Sequence, residues 1–229
     1  MRLELDVGNT RTKWRLCDDY SVFESGKNII DELALEPWWL SVVEVVWVSS
    51  VGREQDEVIR KLFPKAQFAV SQVAHFGLSN SYEDPHKMGV DRWLAMQAVW
   101  SEQPNKAHIV IDAGTAITLD VIDEFGRHVG GYICPGFNMM KASLLGGTQR
   151  VMAQDSWQLG RALGNNTQDC VDHGIQDMVA CWLEGHRSRQ PNACIWVTGG
   201  DGMRLVSLLS SPVTFEADLV LDGLKVHFS

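Results

Sequence analysis

Two stretches of the chain run from apolar residues into the same polar turn: Leu5-Asp6-Val7-Gly8 near the start and Ile111-Asp112-Ala113-Gly114 near the middle. After each glycine the apolar pattern resumes, and a threonine, Thr12 or Thr118, stands four residues beyond it. Apolar and β-branched residues flanking an Asp-x-Gly, which a strand interior disfavours, predict a strand, a tight turn and a second strand. In the first half, 2–7, 12–17 and 22–25 read as a three-strand meander. The dense β-branched run 42–49 reads as a buried strand, 54–63 as a helix and 67–70 as a strand. Trp93, Leu94, Met96 and Ala98 place a helix over 91–100, ending before Pro104. In the second half, 108–112, 115–122 and 128–133 read as strands, the last two joined by the turn Asp123-Glu124-Phe125-Gly126. Pro135-Gly136 opens a helical stretch to about 145. A long amphipathic helix is predicted over 170–187, with Val171, Ile175, Met178 and Trp182 on one face. The apolar strand 194–198 runs through Gly199-Gly200-Asp201-Gly202 into a helix over 203–209, and 146–166, rich in Gly, Asn and Gln, reads as an irregular loop.

The repeat falls at an offset of 106 residues, Asp6 to Asp112, in a chain of 229. That length allows two modest cores, so two similar α/β halves are expected, 1–104 and 105–229, divided at Pro104-Asn105. Composition refines the picture. A formal net charge of -9 disfavours nucleic-acid binding through a broad basic surface. The most apolar stretch, 38–51, is interrupted by Ser41 and Glu44 and is too short to span a bilayer. No charged n-region and apolar h-region open the chain, so a cytoplasmic protein without membrane partners is expected. The five cysteines are odd in number and form no C-x-x-C pair, which suits reduced thiols. Cys170 and His173 lack a second pair to complete a zinc site and read as part of a helix face. Trp38-Trp39, Trp93, Trp100 and Trp182 read as core or subunit-interface anchors.

A hairpin whose turn offers backbone N–H groups and a hydroxyl can hold a phosphate. Gly8 and Gly114 would let an anion approach the backbone, Asn9, Thr10 and Thr115 would donate hydrogen bonds, and Asp6 and Asp112 could orient a hydrated cation. Either loop alone is equally a plain hairpin turn; the repetition turns the balance toward phosphate. The Gly199 turn could lie flat against a nucleotide or simply join a strand to a helix. Together the three segments resemble the two phosphate motifs and the adenosine motif of the superfamily that contains actin, Hsp70 chaperones, sugar kinases and acetate kinase. That resemblance implies two tandem ribonuclease-H-like (actin-like ATPase) domains with ATP in the cleft between them. No G-x-x-x-x-G-K-[ST] occurs, so a P-loop is excluded, and neither H-E-x-x-H nor G-x-S-x-G is present.

Between the loops lies Asn80-Ser81-Tyr82-Glu83-Asp84-Pro85-His86-Lys87-Met88-Gly89-Val90-Asp91-Arg92. With Asp6-Val7-Gly8-Asn9-Thr10 before it and Asp112-Ala113-Gly114-Thr115 after it, the chain resembles the type III pantothenate kinases over essentially its whole length. The resemblance implies ATP-dependent phosphorylation of pantothenate to 4'-phosphopantothenate, the first step toward coenzyme A, by a cytoplasmic homodimer. It implies ATP contacts from Asp6, Val7, Gly8, Asn9, Thr10, Arg11, Thr12, Lys13 and Thr115. Pantothenate contacts would come from Tyr82, Gly89, Val90, Asp91 and Arg92, and from Thr167 in Gly164-Asn165-Asn166-Thr167. Asp91 would accept the proton, and Asp112 would hold a monovalent cation, potassium or ammonium. Met88 stands where the family pattern has Leu, a change that keeps apolar volume.

Elementary chemistry accommodates these roles. Phosphoryl transfer asks the protein mainly to align an alcohol with the γ-phosphate and to screen charge. Magnesium is expected with ATP, bound by Asp6 through water. Read without the resemblance, Asp91 is a charge that favours a helix N-terminus, Arg92 a salt-bridged helix residue, Tyr82 a half-buried aromatic and Lys13 a strand-face charge. Two other functions remain open at this point: a kinase or phosphatase of the same fold acting on another alcohol, and a non-catalytic regulatory protein that keeps the nucleotide fold.

Overall fold

A computed structural model describes residues 1–8, 12–28, 41–148, 151–210 and 212–229 of the chain. Asn9, Thr10 and Arg11 of the first loop, and Trp38-Trp39, lie outside the described residues. Chain order gives β1 (Arg2–Val7), β2 (Thr12–Cys17), β3 (Val22–Asn28), β4 (Val45–Ser50), α1 (Arg53–Leu62), β5 (Gln67–Phe68), β6 (Ala74–His75), β7 (Leu78–Ser79) and α2 (Val90–Glu102). There follow β8 (His108–Ala113), β9 (Ala116–Ile122), β10 (His128–Pro135), α3 (Phe137–Gly146), α4 (Thr167–Arg189), β11 (Cys194–Thr198), α5 (Gly202–Leu208), β12 (Thr214–Phe215) and α6 (Leu219–Phe228).

Two compact units result: Met1–Pro104 with Gly126–His128 and Asp218–Ser229, and Asn105–Phe125 with Val129–Ala217. The structure thus departs from a single cut at Pro104-Asn105, because α6 and the short segment around Arg127 return to the first unit. Each unit carries a five-stranded sheet of the same plan, β3-β2-β1-β4-β5 in one and β10-β9-β8-β11-β12 in the other.

In the first unit, β1 pairs antiparallel with β2 and parallel with β4. Alternate β1 residues Leu3, Leu5 and Val7 are buried in a core with Val46, Val48, Ile59 and Phe63. The period of two sends Glu4 to the other face, where it is fully buried and bonded to Arg2 at 2.8 Å and to Arg15, while Arg15 reaches Asp222 of α6 at 2.6 Å. Helix α2 is buried on nearly every side, so it shows almost no amphipathic stripe. Its backbone at Leu94 touches α6 where Gly223 stands, and a Cβ there would strike the Leu94 carbonyl.

In the second unit, β8 is buried from His108 to Ile111, and Ile109, Ile111, Ile117, Leu119, Ile195 and Val197 form the sheet side of the core. Helix α4 covers it with Val171, Ile175, Val179 and Leu183, a ridge of i+4 steps. The predicted face was skewed: Met178 is 55% exposed and Trp182 is half-buried. Asp172 and Gln176, wholly buried beside the ridge, interrupt the apolar periodicity of the helix.

Candidate active site

The first hairpin ends β1 with Asp6 half-buried, paired in register with Lys13 across β2 and with Ser49 across β4. Val7 and Thr12 are register partners and are buried at 1% and 2% exposure. Lys13 Nζ forms an ion pair with Asp218 at 3.0 Å. The Ser49 hydroxyl is buried without a hydrogen-bond partner, beside Asp6 in the sheet.

The substrate segment is organised by local hydrogen bonds. Asn80 Oδ1 accepts from the Tyr82 N–H at 3.0 Å, and Asp84 Oδ1 accepts from the His86 N–H at 3.2 Å to cap the 3₁₀ turn Pro85–Lys87. Ser71 Oγ donates to the Met88 carbonyl at 3.0 Å, fixing the chain just before α2 begins. Gly89 is the N-cap, Val90 is buried, and Asp91 lies in the first turn, where its Oδ1 accepts from the Arg92 N–H at 2.8 Å. A Cβ on Gly89 would sit 2.5 Å from Asp91 Oδ1, so this position keeps space around the carboxylate. Arg92, 5% exposed, donates from Nη1 to the Tyr82 hydroxyl at 2.6 Å, with its guanidinium 5.5 Å from the Tyr82 ring centre. Tyr82, Gly89, Val90, Asp91 and Arg92 are therefore brought together within the first unit.

The second hairpin is one residue tighter than the first. Asp112 faces Thr118 across β9, whereas Asp6 faces Lys13, so Thr12 and Thr118 are not equivalent in the ladder despite their equal spacing from glycine. The Gly114 N–H donates to Ala116 O at 2.9 Å, and the Gly136 N–H donates to Thr115 O at 2.9 Å. Thr115 therefore belongs to the exposed turn and not to the strand. The glycine-rich turn after β11 joins this loop: the Asp201 N–H donates to Ala113 O at 2.8 Å, and Gly199 adopts φ +93° against Asp112 and the Ala113 carbonyl. Only glycine fits that backbone and that contact. Asp112, Gly114, Thr115 and Gly199 thus form one backbone-lined cluster within the second unit.

Thr167 opens α4 and is exposed, beside Asn166, whose Oδ1 accepts from the Asp169 N–H at 3.0 Å. It borders a cavity of about 670 Å³, walled by Leu144, Val151, Ile175 and Met178, whose lining does not include Thr115.

A family model described as type III pantothenate kinase matches residues 2–189. The chain belongs to this family. A type III pantothenate kinase of Alcanivorax borkumensis is 36% identical over 248 residues, covering 98% of this chain and 97% of its own. Among solved structures, a conserved Campylobacter jejuni protein assigned to the Baf family of transcriptional activators is similar, at TM-score 0.70 and 21% identity, over 97% of this chain and 95% of its own. A Sinorhizobium meliloti protein described as a 2-dehydro-3-deoxygalactonokinase gives TM-score 0.62 at 10% identity, over 98% of this chain and 97% of its own. At such identities these likenesses speak for fold alone, an α/β fold with two five-stranded sheets of one plan.

Sequence reasoning missed several residues that the chain gathers around those positions. His128 packs against Tyr82, with ring centres 6.2 Å apart, and Ser81 bonds to His128. Beneath the start of α4, Lys141 and Asp172 form a buried ion pair at 2.8 Å. Burial opposes ionisation of Asp172, but hydrogen bonds from Lys141, the Gln158 N–H and Gln168 outweigh it and hold the carboxyl below the usual carboxylate range. No cluster of three or more His, Cys, Asp or Glu able to hold a metal occurs among the described residues, and Cys170 and His173 bond instead to the carbonyls of Gly164 and Ala162. No helix of the described residues is long and apolar enough to cross a membrane.

Proposed function

We propose that the chain performs its family's reaction, ATP-dependent phosphorylation of pantothenate, with Asp91 as the proton acceptor and Arg92 and Tyr82 holding the acceptor substrate. The observation that carries this reading is the buried Arg92 fork, fixed on Tyr82 at 2.6 Å directly beside Asp91 at a helix start. A planar guanidinium suits the pantothenate carboxylate, and a carboxylate one residue away suits its primary hydroxyl. As the hydroxyl oxygen bonds to the γ-phosphorus, the bond from that phosphorus to the β,γ-bridging oxygen breaks, ADP leaves, and the hydroxyl proton passes to Asp91. Gly89 and Val90 contribute backbone contacts, and Thr167 adds a substrate contact.

ATP is held by the segment from Asp6 to Lys13, including Asn9, Thr10 and Arg11, and by Thr115. A half-buried Asp6 beside the unpartnered Ser49 hydroxyl fits magnesium that keeps most of its waters, since such a site needs few protein carboxylates. Bound there, the ion would neutralise phosphate charge. Asp112, packed under Gly199, would hold potassium or ammonium. We further propose a cytoplasmic homodimer that binds neither nucleic acid nor membrane. The five cysteines are free thiols, and Val129, Tyr132 and Ile133 of β10 are exposed, with Tyr132 4.7 Å from the His186 ring of α4.

The deciding test is ADP release with ATP, magnesium and potassium, with and without pantothenate, for the native chain and Asp91→Asn. Pantothenate-dependent turnover that falls about 10²- to 10⁴-fold in Asp91→Asn is expected. ATP turnover indifferent to pantothenate would overturn the substrate, and full activity in the variant would overturn the base.

A further inference from the structure

We infer that His128 is a positioning residue for the acceptor site: it fixes the Tyr82 ring, and through Tyr82 the Arg92 guanidinium, before substrate binds. The inference rests on the reading that Tyr82 and Arg92 contact pantothenate. Tyr82 sits in an irregular segment where Asn80 bonds its backbone and Arg92 bonds its hydroxyl, and neither bond sets the plane of the ring. His128 supplies that support from the side. It is 3% exposed, its ring lies 6.2 Å from the Tyr82 ring at an interplanar angle of 29°, and its Nδ1 is 3.0 Å from Ser81 Oγ. One histidine thus holds two consecutive residues of the segment, by stacking on one and hydrogen bonding to the other.

His128 is itself held. The segment before it joins the first unit through the Ser79 N–H, which donates to Gly126 O at 2.8 Å, and through a parallel bridge between Ser79 and Arg127. Gly126 adopts φ +78°, and a side chain there would strike the Gly77 carbonyl and the Trp100 ring. A residue distant in sequence is thereby locked onto the 77–82 stretch. Freezing a ring in advance removes an ordering penalty from binding, so the effect belongs in the KM for the acceptor and not in the chemical step.

The test is steady-state kinetics of the full chain for His128→Ala, His128→Phe, Tyr82→Ala and the Tyr82→Ala/His128→Ala pair. His128→Ala should raise the pantothenate KM about 10-fold while kcat and the ATP KM stay within about 3-fold. His128→Phe, which keeps a stackable ring, should recover most of the loss. In the Tyr82→Ala background, removing His128 should add less than about 2-fold, because the ring it positions is gone. Should His128→Ala fail to fold, His128→Asn, which can still bond Ser81 but cannot stack, carries the same cycle. An unchanged KM without the imidazole, or a full multiplicative effect in the Tyr82→Ala background, would refute the positioning role alone. An unchanged KM in Tyr82→Ala would instead remove the substrate-contact reading, and this inference with it.

Discussion

Arg92 lies almost wholly out of solvent while donating to Tyr82 at 2.6 Å, so its planar fork is oriented in advance. Charge alone does not reproduce that arrangement. Arg92→Lys keeps the charge but offers a flexible point ammonium, so the pantothenate KM should rise about 10- to 100-fold with a smaller change in kcat, read by steady-state assay. Asp91 and Arg92 were singled out through the resemblance of the 80–92 run to the family pattern; by position alone they read as ordinary residues of a helix start. The ion pair of Lys13 was not legible: its partner Asp218 lies at the other end of the chain, and nothing near Lys13 announces it. The set of buried Glu4 and Arg15 with the half-exposed Asp222 was missed for the same reason, with Arg15 and Asp222 separated by 207 positions. Glu4 even violates the expected alternation, reading as polar and outward while being fully buried.

Among the elements, α4 and the segment it anchors carry the clearest consequences. Lys141 donates to Ser156 O and pairs with Asp172, which also accepts from the Gln158 N–H, so one buried ion pair ties the irregular 154–158 stretch to α3 and α4. Arg161 adds a second tie through Asp177 at 2.8 Å and Glu184 at 3.0 Å. Asp172→Ala leaves a buried ammonium without its partner and should cost about 3–5 kcal/mol in urea unfolding, whereas the apolar pair Lys141→Met/Asp172→Leu should recover much of that loss. Helix α6 carries a pH dependence. His227 bonds to Gln97 Oε1 at 3.3 Å, and burial together with neighbouring His75 lowers its pKa from 6.5 to about 4. The unfolded chain then binds the extra proton between those values, so stability present above pH 6.5 falls as pH drops and levels off below about 4. The loss by pH 5 should be about 1–2 kcal/mol, seen as a lower urea midpoint than at pH 7, and His227→Asn should remove most of that difference.

At the scale of the whole molecule, two sheets share one strand order, and the chain's last helix returns to the first unit. A chain ending at Ala217 would lose Asp218, Asp222 and the α6 face that covers Glu4 and Leu94. We expect it to lose protection of the β1 and β4 amides in hydrogen exchange while β8 and β11 keep theirs; protection retained in β1 would refute that dependence. Local pattern was enough to mark both Asp-x-Gly hairpins, the strands around them and the Gly199 turn, whereas the 80–92 segment was marked by its resemblance to the family. Those signals rest on residues a few positions apart, where a period of two or of 3.6 and a turn glycine are written directly into the order of side chains. Sequence by itself therefore determined the type of the main elements and the positions of the motifs on which the candidate chemistry is proposed. Tertiary structure decided which side chains meet: His128 on Tyr82, Lys13 with Asp218, Gly199 against Asp112, and the face of α4 that buries Val179 instead of Met178. Such meetings depend on the packing of residues far apart in sequence, which no local periodicity encodes.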